Sequence, residues 1–174
     1  MDDQNTPHRI VVLGAGYTGM MAAIRVARRT RRRNAVVTLI NPTARFVERL
    51  RMHQLATAQT LTDRQIPDMI EGTGVVFVQG WAAAIDPVAM TIEVATADGT
   101  IIVGYDRLIY AIGSVTDTTA VGGVDSDAFT LNGAGAATAL AARLGSLEDG
   151  QTVVVCGSGL TGVETAAEIA ESYP

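Results

Sequence analysis

Two sets of glycines have the spacing to do chemistry in this sequence. The first is Gly14, Gly16 and Gly19 in "GAGYTG". The second is Gly157, Gly159 and Gly162 in "GSGLTG", each 143 positions after its counterpart, with Thr161 repeating Thr18. In such a GxGxxG turn the first glycine permits a tight bend, and the second lets backbone amides approach a diphosphate. The third lets a helix pack closely on the preceding strand, so that the positive end of the helix faces the anion. One such pattern arises by chance in glycine-rich loops, whereas a repeated one points to two bound dinucleotides. Residue sets for other chemistries are missing. His8 and His53 stand far apart, Cys156 is the single cysteine, and neither a Ser-His-Asp set nor a catalytic carboxylate pair is recognisable. A metal has no ligand set to draw on, and no disulfide or redox pair can form within the chain.

The elements that must hold these turns lie on either side of them. "RIVVLG" (Arg9 to Gly14) is a β-branched run ending in glycine and reads as a buried strand. "YTGMMAAIRVARR" (Tyr17 to Arg29) reads as a helix, and "AVVTLI" (Ala35 to Ile40) as a second strand that Asn41-Pro42 ends. Together they make one βαβ unit of the length a dinucleotide fold needs. Residues Thr43 to Thr60 have Phe46, Leu50 and Gln54 spaced to share a helix face, and a short helix is expected at "IPDMIEG" (Ile66 to Gly72), with Pro67 near its first turn and Gly72 as a stop. "VVFVQG" (Val75 to Gly80) reads as a third buried strand. "WAAAIDP", "MTIEVATADGTIIVGY" and "DRLIYAIGS" read as antiparallel strands in succession, with Asp98-Gly99 as a hairpin turn. A glycine-rich stretch from Gly122 to Gly135 leads into an Ala/Leu helix. A closing strand from Gln151, with Cys156 buried in "TVVVC", and a helix from Leu160 then begin a second unit. The expected organisation is a disordered tail at 1–7, one domain at 8–148 and the incomplete start of another at 151–174.

Composition excludes several classes. Of the 174 residues 48% are hydrophobic, ample for a buried core, and a net charge of −5 argues against nucleic acid as a partner. No apolar run approaches the roughly 18 residues that span a bilayer. The start "MDDQNTP" is acidic and polar, unlike a secretory or mitochondrial leader, so a cytoplasmic location is expected. All thirteen basic residues are arginines, five of them in "RRTRRR" (Arg28 to Arg33). That run reads either as a solvated helix end, where cations meet the negative pole of the dipole, or as a contact for an anionic surface.

With the motifs assembled, "GAGYTG", "YDRLIYAIGS" and "GSGLTGVETA" resemble, in that order, the FAD-dependent pyridine nucleotide–disulfide oxidoreductase superfamily. The segment "FVERLRMHQLATA" is similar to its type II NADH dehydrogenase and apoptosis-inducing-factor-like branch. The resemblance spans Arg9 to Pro174 and rests on the order and spacing of three motifs. It implies an α/β, FAD/NAD(P)-binding Rossmann-like fold: a parallel sheet with an antiparallel meander, then the first βα unit of a second such domain.

It also implies FAD as cofactor and NAD(P)H as co-substrate. Hydride would pass from NAD(P)H to FAD, and electrons onward to a quinone or another non-thiol acceptor. On this resemblance Gly14, Ala15, Gly16, Thr18 and Gly19 would meet the FAD pyrophosphate, and Ala82 the adenine through its backbone. Ala111 and Gly113 would lie on the flavin side. Asn41 stands where an acidic residue should grip the ribose; its amide can still bond hydroxyls, without the charge. Arg51 would lie near the FAD phosphates or serve as a plain surface arginine. Gly157, Gly159 and Gly162 would cradle NAD(P)H, and Glu164 would be the catalytic candidate near the nicotinamide–flavin contact. His53 reads as an ordinary helix residue and Trp81 as packing.

Two departures bear on function. "AIG" (Ala111 to Gly113) replaces the more usual "ATG", and residues 41–60 lack the redox cysteine of the disulfide-reducing branches. Relatives of this kind are about twice as long. The expectation is therefore a front portion whose missing C-terminal half holds the rest of the NAD(P)H domain, the final FAD-contacting segment and a C-terminal domain, with peripheral membrane association expected of the full-length form. The alternative is a nucleotide-binding fragment without turnover of its own.

Overall fold

The computed structural model describes residues 6–174, so most of the expected tail at 1–7 lies outside the described residues. Parallel strands form where β-branched runs can be covered on both faces. β1 (His8–Leu13), β2 (Ala35–Asn41) and β3 (Val75–Gln79) pair in parallel, and β7 (Arg107–Tyr110) joins the other side of β1, giving the order β3-β2-β1-β7. β4 (Trp81–Asp86), β5 (Thr91–Thr96) and β6 (Gly99–Gly104) make a separate antiparallel meander. The helices are α1 (Tyr17–Thr30), α2 (Met52–Ala56), α3 (Ile66–Ile70), α4 (Val124–Asp127), α5 (Ala134–Leu144) and α6 (Leu160–Ser172).

The chain divides into two compact units. The first runs through Phe46 and resumes at Asp63–Gly113, and the second joins Val47–Thr62 to Ser114–Pro174. In the first unit, side chains alternate across the parallel sheet as the strand period of two requires. Val12, Val37 and Leu39 pack with Met20, Ala23 and Ala27 of α1 and with Ile66 and Ile70 of α3. Val11, Leu13 and Ile40 point the other way and pack with Ile92, Val94 and Tyr105 of the meander side. In the second unit a smaller core joins Met52, Ala56 and Leu61 to Ala137 of α5.

Five expectations need correction. "DRLIY" pairs in parallel with β1, not antiparallel with the meander, because Ile109 packs into the α1-side core and Leu108 beneath the meander. β3 is a half-buried edge strand with Val76 50% exposed, since nothing among the described residues pairs with its outer side. Residues 43–60 do not form one helix: Arg45 bridges to Gln65, a 3-10 turn covers Arg49–Arg51, and only α2 is helical. The hairpin loop is Ala97-Asp98, closed by Gly99 at φ 119°. Residues 151–158 form no strand, and Cys156 is exposed rather than buried; apolar character alone makes no strand without a neighbour to pair with.

Candidate nucleotide-binding site

The first glycine turn sits where the parallel sheet reverses direction. The chain moves outward from β1 through β2 to β3, then returns to place β7 on the opposite side of β1. The crevice at the carboxyl ends of β1 and β7 is thus a topological switch point, the place where open α/β sheets bind ligands. Gly14 follows β1 and Ala111 follows β7, and the Ala111 N–H donates to the Leu13 carbonyl at 2.8 Å.

Each glycine of the turn has a distinct task. Gly14 adopts φ 98°, donates its N–H to the Ile40 carbonyl at 2.8 Å, and lies so close to the Ala111 carbonyl that any side chain would collide with it. At Gly19 a Cβ would strike the Gly14 carbonyl, so the third glycine sets how closely α1 approaches the turn. Gly16 differs: it takes an ordinary extended φ of −72°, and a Cβ there would meet nothing within 4 Å. No atom among the described residues requires glycine at this position. Open space lies before it, beside the start of a 14-residue helix that no side chain caps. Thr18 is exposed on that first turn. Unpartnered amides, a helix's positive end and a hydroxyl beside open space suit a diphosphate. The residues present therefore fit the anionic middle of a dinucleotide.

Around the turn, Asn41 ends β2; its Oδ1 accepts the Ala15 N–H at 3.0 Å, and its Nδ2 donates to the Thr43 carbonyl at 2.8 Å. The Gly80 N–H donates to the Asn41 carbonyl at 2.9 Å, which brings the start of β4 toward the same end of the sheet. Ala82 is half-buried at a register shift in β4, and Gly113 is exposed at φ 76°. Arg51 belongs to the second unit, where its guanidinium donates to Gln54 Oε1 at 2.7 Å and to Glu48 Oε2 at 3.4 Å.

In the second unit the other glycine turn repeats the first. Gly157 takes φ 116°, and Gly159 precedes α6 with nearly the same backbone angles as Gly16 before α1. A Cβ on Gly162 would strike the Gly157 carbonyl, as at Gly19. Glu164 lies in α6 with its Oε2 3.8 Å from His53 Nδ1, and Gln59 hydrogen-bonds Glu168 one turn further on. Sequence reasoning passed over the His53–Glu164 and Gln59–Glu168 links and the Asn41–Ala15 bond, because each joins residues far apart in the chain. An Asn that ends a strand before "PT" was the one local clue, since such a side chain bonds backbone two residues on. Among the described residues no cluster of metal-ligating side chains forms.

A switch-point crevice, a glycine turn and an uncapped helix define a dinucleotide-binding α/β protein. The sequence profile of the pyridine nucleotide-disulphide oxidoreductase family matches residues 8–172, and the chain belongs to that family. It is 29% identical over 181 residues to a type II NADH:quinone oxidoreductase of Staphylococcus aureus, covering 95% of this chain and 44% of that one. The chain thus spans less than half the length of the curated relatives it matches. Among solved structures, NDH2 of Plasmodium falciparum in complex with NADH superposes with a TM-score of 0.74 at 21% identity, over 95% of this chain and 37% of that one. A NAD-dependent persulfide reductase of A. fulgidus gives a TM-score of 0.76 at 20% identity, over 94% of this chain and 32% of that one.

Proposed function

We propose that this chain forms the FAD-binding front of an oxidoreductase that takes hydride from NAD(P)H and passes electrons to a quinone or another non-thiol acceptor. The observation that carries the reading is Gly16, a glycine that the fold itself does not need, facing open space at the switch point. Gly14, Ala15, Gly16, Thr18 and Gly19 would shape the site for the FAD diphosphate, with Ala82 toward the adenine and Ala111 and Gly113 toward the flavin. Arg51 enters only through the resemblance. When bound, FAD supplies the capacity to accept a hydride and release electrons singly or in pairs. Gly157, Gly159 and Gly162 would receive the diphosphate of NAD(P)H on α6. Glu164, whose carboxylate lies near His53, would be the catalytic candidate at the nicotinamide–flavin contact.

The non-thiol acceptor is supported by the single cysteine, which leaves the chain without a dithiol, and the quinone by the relative's activity. A cytoplasmic protein that meets the membrane peripherally is consistent with this; among the described residues no helix is long and apolar enough to cross a membrane. The test is to mix the purified chain with FAD, remove the excess, and add NADH without oxygen. Retained yellow colour that bleaches supports the full reading. Colour that stays supports a nucleotide-binding piece without turnover, and no retention by wild type overturns the FAD site.

A further inference from the structure

At the end of β2, where a dinucleotide fold usually carries a ribose-binding acid, stands Asn41. We infer that Asn41 is a positioning residue that locks the first glycine turn from within the protein and is not a ribose ligand; the inference rests on reading this turn as a nucleotide cradle. The side chain's oxygen and nitrogen each make one short bond within the protein, two of the four that an amide can form. Its oxygen accepts the Ala15 N–H at 3.0 Å, across 26 residues of sequence. Its nitrogen donates to the Thr43 carbonyl at 2.8 Å and lies 3.5 Å from the Thr43 hydroxyl. The backbone on either side is committed as well, Ile40 to Gly14 and Asn41 to Gly80. One residue therefore ties together the segments that follow β1, β2 and β3.

The chemistry of these bonds selects an amide over the expected acid. An aspartate at position 41 could accept the Ala15 N–H, but it has no hydrogen for Thr43 and would set a carboxylate oxygen against that carbonyl. Reversing the amide would face its NH2 toward the Ala15 N–H, donor against donor, so the two bonds together also fix the orientation. The consequence for binding is specific. The Ala15 N–H is held by a neutral oxygen and withheld from an incoming anion, leaving the amides at Gly16 and the first turn of α1 to meet the diphosphate. The missing acid is thus part of how this turn is built.

Two measurements on the full chain test the inference. In amide hydrogen exchange without ligand, the Ala15 amide should exchange at least about tenfold more slowly than that of Gly16, and N41A or N41S should remove the difference. In binding, ADP and 2′,3′-dideoxy-ADP should bind wild type within about twofold of each other, and N41A should weaken both by the same factor of about five, the loss of one hydrogen bond's worth of order. A fast Ala15 amide in wild type overturns the inference even if the variants fail to fold. So does a tenfold preference for ADP that N41A erases. If neither nucleotide binds, the cradle reading falls, while the exchange measurement still decides whether Asn41 holds the turn.

Discussion

At the scale of single residues, the three glycines of the first turn separate folding from binding. Gly19 packs against the Gly14 carbonyl, so Gly19→Ala forces α1 away from the turn and disturbs the contacts of Met20 and Ala23. Overpacking of this kind costs about 1–3 kcal/mol, and chemical denaturation should show a loss in that range. Gly16→Ala has room for its methyl and an ordinary φ, so the same measurement should show a change within about 0.5 kcal/mol. FAD or ADP affinity should nevertheless fall by about tenfold or more in Gly16→Ala, because the methyl occupies the space that the diphosphate needs. Equal affinity in Gly16→Ala and wild type would show that the open space is not a binding site. The GxGxxG spacing already assigned each glycine its task, but not the neighbours that enforce it at Gly14. Among them is Ala111, brought beside Gly14 by a pairing 97 residues away in sequence.

At the scale of elements, what was legible was local. β1, the glycine turn, α1 and β2 each follow from a short pattern, and the structure places them within a residue or two of expectation. β7 was found as a strand but assigned the wrong neighbours, because four residues of apolar sequence do not record which edge they join. Part of that choice is recorded in an ion pair. Asp106, just before β7, accepts the Arg9 backbone N–H at 2.6 Å and a guanidinium N–H at 2.8 Å, and its own N–H donates to the Arg9 carbonyl at 2.8 Å. The Arg9 guanidinium, then the Arg9 backbone N–H, hold the Asp106 carboxyl down to about 2 from its usual 3.8, with a smaller contribution from His8. A carboxylate with a lowered pKa in the folded state stabilises the fold above its unfolded pKa and loses that effect as pH falls toward the folded one. Urea midpoints should therefore differ most between wild type and Asp106→Asn above about pH 4 and converge near pH 2. Parallel curves over that range would mean that the pair does not hold β7 to β1.

At the scale of the whole molecule, the two units are unequally built, and that inequality should govern how the chain opens. The first unit carries two buried clusters on either face of its sheet, with Val12, Leu39 and Ile40 fully covered. The second rests on Met52, Ala56, Leu61 and Ala137, and among α6 residues only Thr165 is buried. Helices short of buried contacts open locally at low free-energy cost, whereas the central strands of a core exchange only when the whole unit unfolds. Amides of β1 and β2 should accordingly exchange far more slowly than those of Leu160–Ser172. FAD sharpens the comparison, because the glycine turn that would bind it lies in the first unit. A ligand at 100 times its Kd stabilises the state it binds by about 2.7 kcal/mol, which would slow exchange in β1 and β2 by about a hundredfold. If FAD is held by the first glycine turn, α6 keeps its ligand-free rate under the same conditions. Equal slowing of α6 would mean that FAD binding orders both units at once, and a first-unit rate that FAD leaves unchanged would place the nucleotide elsewhere.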